Sequence, residues 1–269
     1  MKRLGIIVGV LVVSLAASVG AHDTFLKFDS YFLSPDSLVT VNLLTGTFQQ
    51  SENPIARERM RDVSLITGQG KRIHLPLTAW RDEDNMSRLE LRTAAPGTYV
   101  VGVALYPKEI HLKAEEFNEY LEHDGIPDML VERQKQNRLG EDAHELYSKH
   151  AKAIFQVGER RTKSFKQPLG YAVEIIPQQN PYTARVGQTM SFLCTKDGKP
   201  IPRQFVIAGW ETPDGQTGSL SGRTDEQGLV RFPLKIAGRW YVKFIHMVSL
   251  TGQPINYESK WATLTFEIR

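Results

Sequence analysis

Three positions could do chemistry in a chain that is otherwise short of it: His22, Asp23 and His246. His22 follows Val19-Gly20-Ala21, where small residues stand at −3 and −1 of a processing site, so cleavage after Ala21 would make it the amino terminus. An N-terminal histidine carries an α-amine and an imidazole in one residue and can grip a metal with two nitrogens. The amine's ordinary pKa of about 7.7 to 8.0 lets a metal displace its proton near neutral pH. Asp23 would supply a carboxylate or an acceptor behind the ligands. His246 ends a strand face shared with Trp240, Val242 and Phe244, either as a buried, hydrogen-bonded ring or as a ligand at the rim of the core. Convergence of His22 and His246 on one divalent ion predicts affinity that falls below about pH 6, where imidazole protonates.

The other candidates read more plainly. His111, His123, His144 and His150 fall in one segment, but only His150 shares an apolar stripe, and His144 is expected to face water. Cys194, the one cysteine, lies in the strand-like run Met190-Ser191-Phe192-Leu193-Cys194 and reads as a small buried hydrophobe. Asp82-Glu83-Asp84 and Glu115-Glu116 are adjacent carboxylates, which diverge on a strand or helix. The chain has no Gly-x-Ser-x-Gly elbow, phosphate-binding glycine loop, His-Glu-x-x-His or Cys-x-x-Cys, so no enzymatic activity is expected.

The elements that must position these residues follow from period and punctuation. Lys2 and Arg3 followed by the apolar residues 4–17 read as a secretory signal over 1–21, too short to favour a spanning anchor. From residue 22 to 106, short alternating runs such as Val39/Val41/Leu43 and Leu89/Leu91, broken by Gly68-Gln69-Gly70 and Pro96-Gly97, predict an antiparallel sandwich. The polar, charged stretch 53–60 predicts an exposed loop or short helix with solvated basic side chains. Residues 107–160 change period and predict a helical insert: 114–123, a second helix opened by Pro127, and a third over 141–156 with His150 packed between helix and sheet. Strands return from 170 to 269, with turns at Asp197-Gly198 and Asp225-Glu226-Gln227-Gly228. A weak echo relates Pro96-Gly97-Thr98-Tyr99-Val100 to Ala237-Gly238-Arg239-Trp240-Tyr241. The expected architecture is mainly β: two antiparallel Ig-like or transthyretin-like sandwiches separated by a helical insert.

Composition bounds the partners. Processing would remove Lys2 and Arg3 from a chain of formal charge +3, and there is no basic run with interleaved aromatics, so no nucleic-acid partner is expected. A lone cysteine forms no internal disulfide, so stability rests on packing.

The blocks Ala21-His22-Asp23-Thr24-Phe25-Leu26, Gly46-Thr47-Phe48, Tyr120-Leu121-Glu122-His123-Asp124-Gly125, Tyr147-Ser148-Lys149-His150-Ala151 and Trp261-Ala262-Thr263-Leu264 together resemble the bacterial family called domain of unknown function 4198, across nearly the whole mature chain. That resemblance implies a relation to periplasmic substrate-capture components of nickel and cobalt uptake. Separately, Asp197-Gly198-Lys199-Pro200-Ile201 with Ala237-Gly238-Arg239-Trp240-Tyr241 resembles the transthyretin-like, carboxypeptidase-regulatory sandwich, which implies fold rather than function. The leading expectation is a periplasmic protein that presents nickel, cobalt or copper for uptake or storage. Its metal would sit on His22, Asp23 and His246, its partners would be the ion and an inner-membrane metal transporter, and it would meet the membrane only through the signal segment. The alternative is a non-catalytic accessory or adhesion-like sandwich binding a protein or glycan partner without metal. A third reading, an oxidative copper enzyme, rests on the same pair of histidines.

Overall fold

The computed structural model describes residues 22–269, and the signal segment read at 1–21 lies outside the described residues. Three β-sheets form three layers. The first small sheet orders Asp23–Lys27, Leu38–Gly46, Met86–Arg92 and Trp80–Glu83, all antiparallel. The alternation read from the sequence holds here, because Val41, Leu43, Leu89 and Leu91 are buried. The second small sheet is built on Val173–Pro177 and Thr189–Lys196, flanked by Lys199–Pro200 and Leu229–Pro233. Asp197 and Gly198 turn its hairpin with φ of 49° and 73°, the pair of positive values a two-residue type I′ turn demands.

Between these lies the large sheet. Its path runs Thr217–Arg223, Phe205–Glu211, Gly238–Ser249, Tyr257–Ile268, Ala143–Val157, Gly97–Leu105, Met60–Ile66 and Arg72–His74, with Phe32–Leu33 and Lys108–Leu112 also pairing on Ala143–Val157. Successive residues of a strand point to opposite faces, so partners identify the layers. Lys243, Thr263 and Thr265 meet the first small sheet, through Asp23 and the carbonyls of Thr24 and Leu26. On the opposite face Lys152 reaches Glu174 and Phe266 stacks on Phe192, both from the second small sheet. The fold is thus mainly β and of sandwich class, with one sheet shared by both halves.

Two helices extend the first-sheet face, α1 (Ala114–His123) and α2 (Pro127–Lys135). Glu116 accepts the Lys113 N–H and Asp142 accepts the Ala114 N–H at the start of α1, and Gly125 ends the turn beyond it at φ 85°. Pro127 opens α2, where its missing N–H costs nothing. Phe117 and Tyr120 pack on Tyr257 and Trp261 of the large sheet.

The third helix expected over 141–156 is a correction: Ala143–Val157 is a fifteen-residue strand at the centre of the large sheet. A strand covered on both faces loses the period-2 signal, and Ala143, Leu146, Tyr147, His150 and Ile154 then fall at the spacing of a helical stripe. His150 is accordingly buried in the sheet and not between helix and sheet. Its ring lies 5.8 Å from that of Tyr171, and its Nδ1 is 3.2 Å from the Trp261 carbonyl. Burial pushes its pKa down to about 4. Cys194 is fully buried, as expected.

The central strand pairs in parallel with Tyr257–Ile268, from Glu145 opposite Tyr257 to Ala153 opposite Thr265. The two strands of the sequence echo, Gly97–Leu105 and Gly238–Ser249, flank this pair antiparallel on either side. Rotation about an axis along the strands carries one flank onto the other and exchanges the faces, which matches the placement of one small sheet on each face.

Candidate functional site

The first strand runs over the large sheet and brings the His22–Asp23 junction against the central strand. Lys149, only 6 % exposed, donates to the His22 carbonyl and lies over two aromatic rings, 4.7 Å from the Trp261 centroid and 5.4 Å from that of Tyr147. Burial pushes its pKa down to about 8, against the pull of Asp23, Asp124 and Glu145. The same burial pushes Asp124 up to about 6, opposed by the Lys243 ammonium, and Glu145 up to about 7, opposed by Ser259 and Tyr120 donating to it. The ammonium of Lys149 therefore sits above acids that have partly lost their charge.

A cleft of about 360 Å³ opens beside Lys149, lined also by Thr24, Thr45, Arg59, Lys108 and Tyr147, with Ile55 and Leu105 in its wall. Backbone pairing places part of the lining. Thr24 is opposite Thr45 in the first sheet, and Lys108 is opposite Tyr147 in the large one. Arg59 ends a short 3-10 turn, donates to the Tyr106 carbonyl at 3.0 Å and lies 5.7 Å over the Tyr147 ring. Three cations thus face a single acid, Glu58, at this opening. Arg59 Nε, Thr24 Oγ1 and Thr45 Oγ1 are buried and have no partner among the described residues. Buried polar atoms are ordinarily satisfied, so three orphans around one cleft mark a place prepared for a polar ligand. The volume lies in the range of small-molecule sites. A slightly larger hollow of about 400 Å³ on α1 is walled by Glu115, Glu119 and Glu122, which repel an anion and converge on nothing.

The residues expected to bind metal are placed apart. Asp23 binds the Lys243 ammonium at 2.5 Å, and His22 Nε2 is 3.0 Å from Glu52. His246 Nδ1 is 3.2 Å from Gln204 Oε1, in a different cleft beside α2. Lys243 and His246 are three residues apart on one strand, so the face that carries Asp23 is not the face that carries His246. The metal-presenting reading is therefore corrected. Its aspartate is neutralised by a lysine, and its two histidines lie on opposite faces of the large sheet. What the structure does gather elsewhere is Glu109, His111 and His144, whose ligand atoms lie within 4.8 Å of one another and could in principle hold a metal ion.

The basic cleft was not legible in the sequence. Arg59 belongs to a stretch that reads as solvated, and Lys149 to one that reads as helix. The available signal was the placement of Lys149 and Lys152 just ahead of and among the apolar residues Ala151, Ala153, Ile154 and Phe155.

A family model described as "Domain of unknown function (DUF4198)" matches residues 19–248. No curated protein matches the chain. Among solved structures, the chain is similar to a tetra-tandem repeat from the extending region of a large adhesion protein, at 11% identity and a TM-score of 0.23, covering 93% of this chain and 50% of that one. The chain thus spans half the length of that structure. The D0-D1 domain of intimin follows at 11% identity and a TM-score of 0.22, covering 91% and 97%. A two-domain fibronectin type-III segment of chicken tenascin has 10% identity and a TM-score of 0.22, covering 90% and 97%.

Proposed function

We propose, from the premise that this chain belongs to the family described as domain of unknown function 4198, that it is a non-catalytic, accessory or adhesion-like sandwich protein whose recognition point is the Lys149 cleft. With the signal read at residues 1–21, it would act in the periplasm. The group recognised is a carboxylate carried by a small ligand, with a sugar acid as the type case. The observation that carries this reading is the cleft itself: Arg59, Lys108 and Lys149 beside three orphaned polar atoms, in a volume suited to one ring-sized ligand. A carboxylate accepts from guanidinium, ammonium and hydroxyl donors alike, and charge-assisted bonds are roughly twice as strong as neutral ones. The Tyr147 ring and the Ile55 and Leu105 side chains supply an apolar wall for the carbon skeleton.

Calorimetric titration with glucuronate and galacturonate, beside neutral glucose, tests the reading. The acids are expected to bind and glucose not to. Lys149→Met keeps the buried stem and removes the charge, and with Arg59→Ala it should weaken binding at least tenfold, the ~1.4 kcal/mol or more expected of a charge-assisted contact. Absence of acid binding, or binding by both variants as tight as by the wild type, would overturn the reading.

The same site predicts a pH dependence. Lys149 holds its proton below about 8, so affinity for a carboxylate should be full at pH 6.5 and decline as pH rises through that value. Titrations at pH 6.5 and 9.5 measure it, and an unchanged affinity would remove Lys149 from the contact.

A further inference from the structure

We infer that Glu109, His111 and His144 form a binding site for a first-row divalent cation, with zinc as the type case, that fastens the strand Lys108–Leu112 to the central strand. The inference is independent of the ligand proposed for the Lys149 cleft and of any role in metal uptake.

The backbone pairing creates the constellation. His111 stands directly opposite His144, and Glu109, two residues from His111, stands opposite Leu146. Residues two apart on a strand share a face, so all three side chains emerge on one side. The imidazoles stack with centroids 3.7 Å apart and planes at 26°, and Glu109 Oε2 lies 2.8 Å from His144 Nε2.

The second nitrogen of His144 is engaged as well. Nδ1 is 3.2 Å from the Pro254 carbonyl, so both ring nitrogens face oxygens that can only accept. A neutral imidazole has one N–H and can satisfy one of them. In the tautomer with Nδ1–H donating to Pro254, the Nε2 lone pair confronts the Glu109 carboxylate, and a cation shared between them satisfies both. A proton would serve that pair alone and leave His111 stacked on an imidazolium with no part in the contact. A metal ion uses the lone pairs of both rings and the carboxylate. A histidine whose far nitrogen is fixed by a carbonyl, with its near nitrogen turned to an anion, has the outer-shell arrangement typical of metal ligands.

The loop that supplies Pro254 is itself tied to His144. Asn256 Oδ1 accepts the His144 N–H at 2.8 Å, and the Asn256 N–H donates to the His144 carbonyl at 3.0 Å. The inner ligand is therefore held from the backbone, while Glu109 and His111 are exposed and free to close in. Tetrahedral coordination at ~2.0 Å asks for ligand atoms about 3.3 Å apart, a small adjustment from the present spread. Two imidazoles and one carboxylate suit zinc and copper better than magnesium or calcium, and three protein ligands leave a position for water.

Zinc chloride titrated into the whole chain, by calorimetry against a competing chelator, tests the site. One zinc per chain is expected, with dissociation constants at least tenfold weaker in His111→Ala and in His144→Ala, and Glu109→Gln intermediate. His111 is exposed, so its variant keeps the fold whatever becomes of His144→Ala. Zinc should raise the melting temperature of the wild type and leave that of His111→Ala unmoved. Substitution by Co(II) gives a second readout: tetrahedral visible bands in the wild type and none in His111→Ala. Three results would overturn the inference: no zinc bound by the wild type, zinc bound by the His111 and His144 variants as tightly as by the wild type, or binding lost instead in His22→Ala.

Discussion

Glu174→Ala is expected to cost about 3–5 kcal/mol of folding stability, the scale for breaking one partner of a buried ion pair. Glu174 and Lys152 are 4 % and 5 % exposed at their side chains and meet at 2.8 Å between the large sheet and the second small one. Glu174 also accepts the backbone N–H groups of Leu169, Gly170 and Tyr171 at 3.0, 2.7 and 3.1 Å. Truncation strands a buried ammonium and frees three donors, whereas Lys152→Met with Glu174→Leu replaces both charges and should restore much of the loss. Burial opposes the charge on Glu174, but the Lys152 ammonium and the amide donors outweigh it and hold the carboxyl below its ordinary 4.5. The native pKa is depressed, so the stabilisation is present above that ordinary value, which the unfolded chain keeps, and disappears as pH falls through the native one. Urea unfolding at pH 7 and pH 3.5 should show a much larger gap between wild type and variant at the higher pH. A difference under about 1 kcal/mol at pH 7 would show that the pair is solvated.

The second large effect is expected at Trp261. Its ring is 2 % exposed, lies parallel to Tyr120 at 3° with centroids 5.8 Å apart, and its Nε1 donates to Ser259 Oγ at 2.9 Å. It also carries the Lys149 ammonium 4.7 Å from its centroid. Trp261→Ala should cost about 3–5 kcal/mol through the cavity it leaves. Its distinguishing result lies in where the damage falls. Hydrogen exchange should accelerate in α1 and α2 more than in the second small sheet, which Trp261 does not touch. Uniform acceleration throughout would mean that the helices do not depend on this ring.

Much of the outer fold was legible from the sequence, and the reason is physical. Strands with one wet face, such as Leu38–Gly46 and Met86–Arg92, keep their alternation, and helices with their own punctuation, such as α1 and α2, declare their ends. The central strand did not, because a segment buried on both faces carries no period and its alanines favour helix in isolation. That one misreading hid the site, since Tyr147 and Lys149 enter the cleft only on a strand. Asp23 was singled out for its charge, but Lys243, which neutralises it, lies more than two hundred positions away and only pairing brings them together. His144 was expected in water and is in fact fixed by a loop from the far end of the chain.

The parallel pairing of Ala143–Val157 with Tyr257–Ile268 sets an order for biogenesis. The central strand is synthesised more than a hundred residues before its partner, and until residues 257–268 emerge one of its edges stays open along most of its length. An apolar, unpaired edge is a template for association with other chains, and non-local pairing is slow to form. Until that partner is in place the folding chain carries an open edge along most of its central strand, and it is residues 257–268 that close it. Removal of residues 257–268 should thus be costlier to yield than to any local contact, and a holding chaperone would find its natural grip on the edge of residues 143–157.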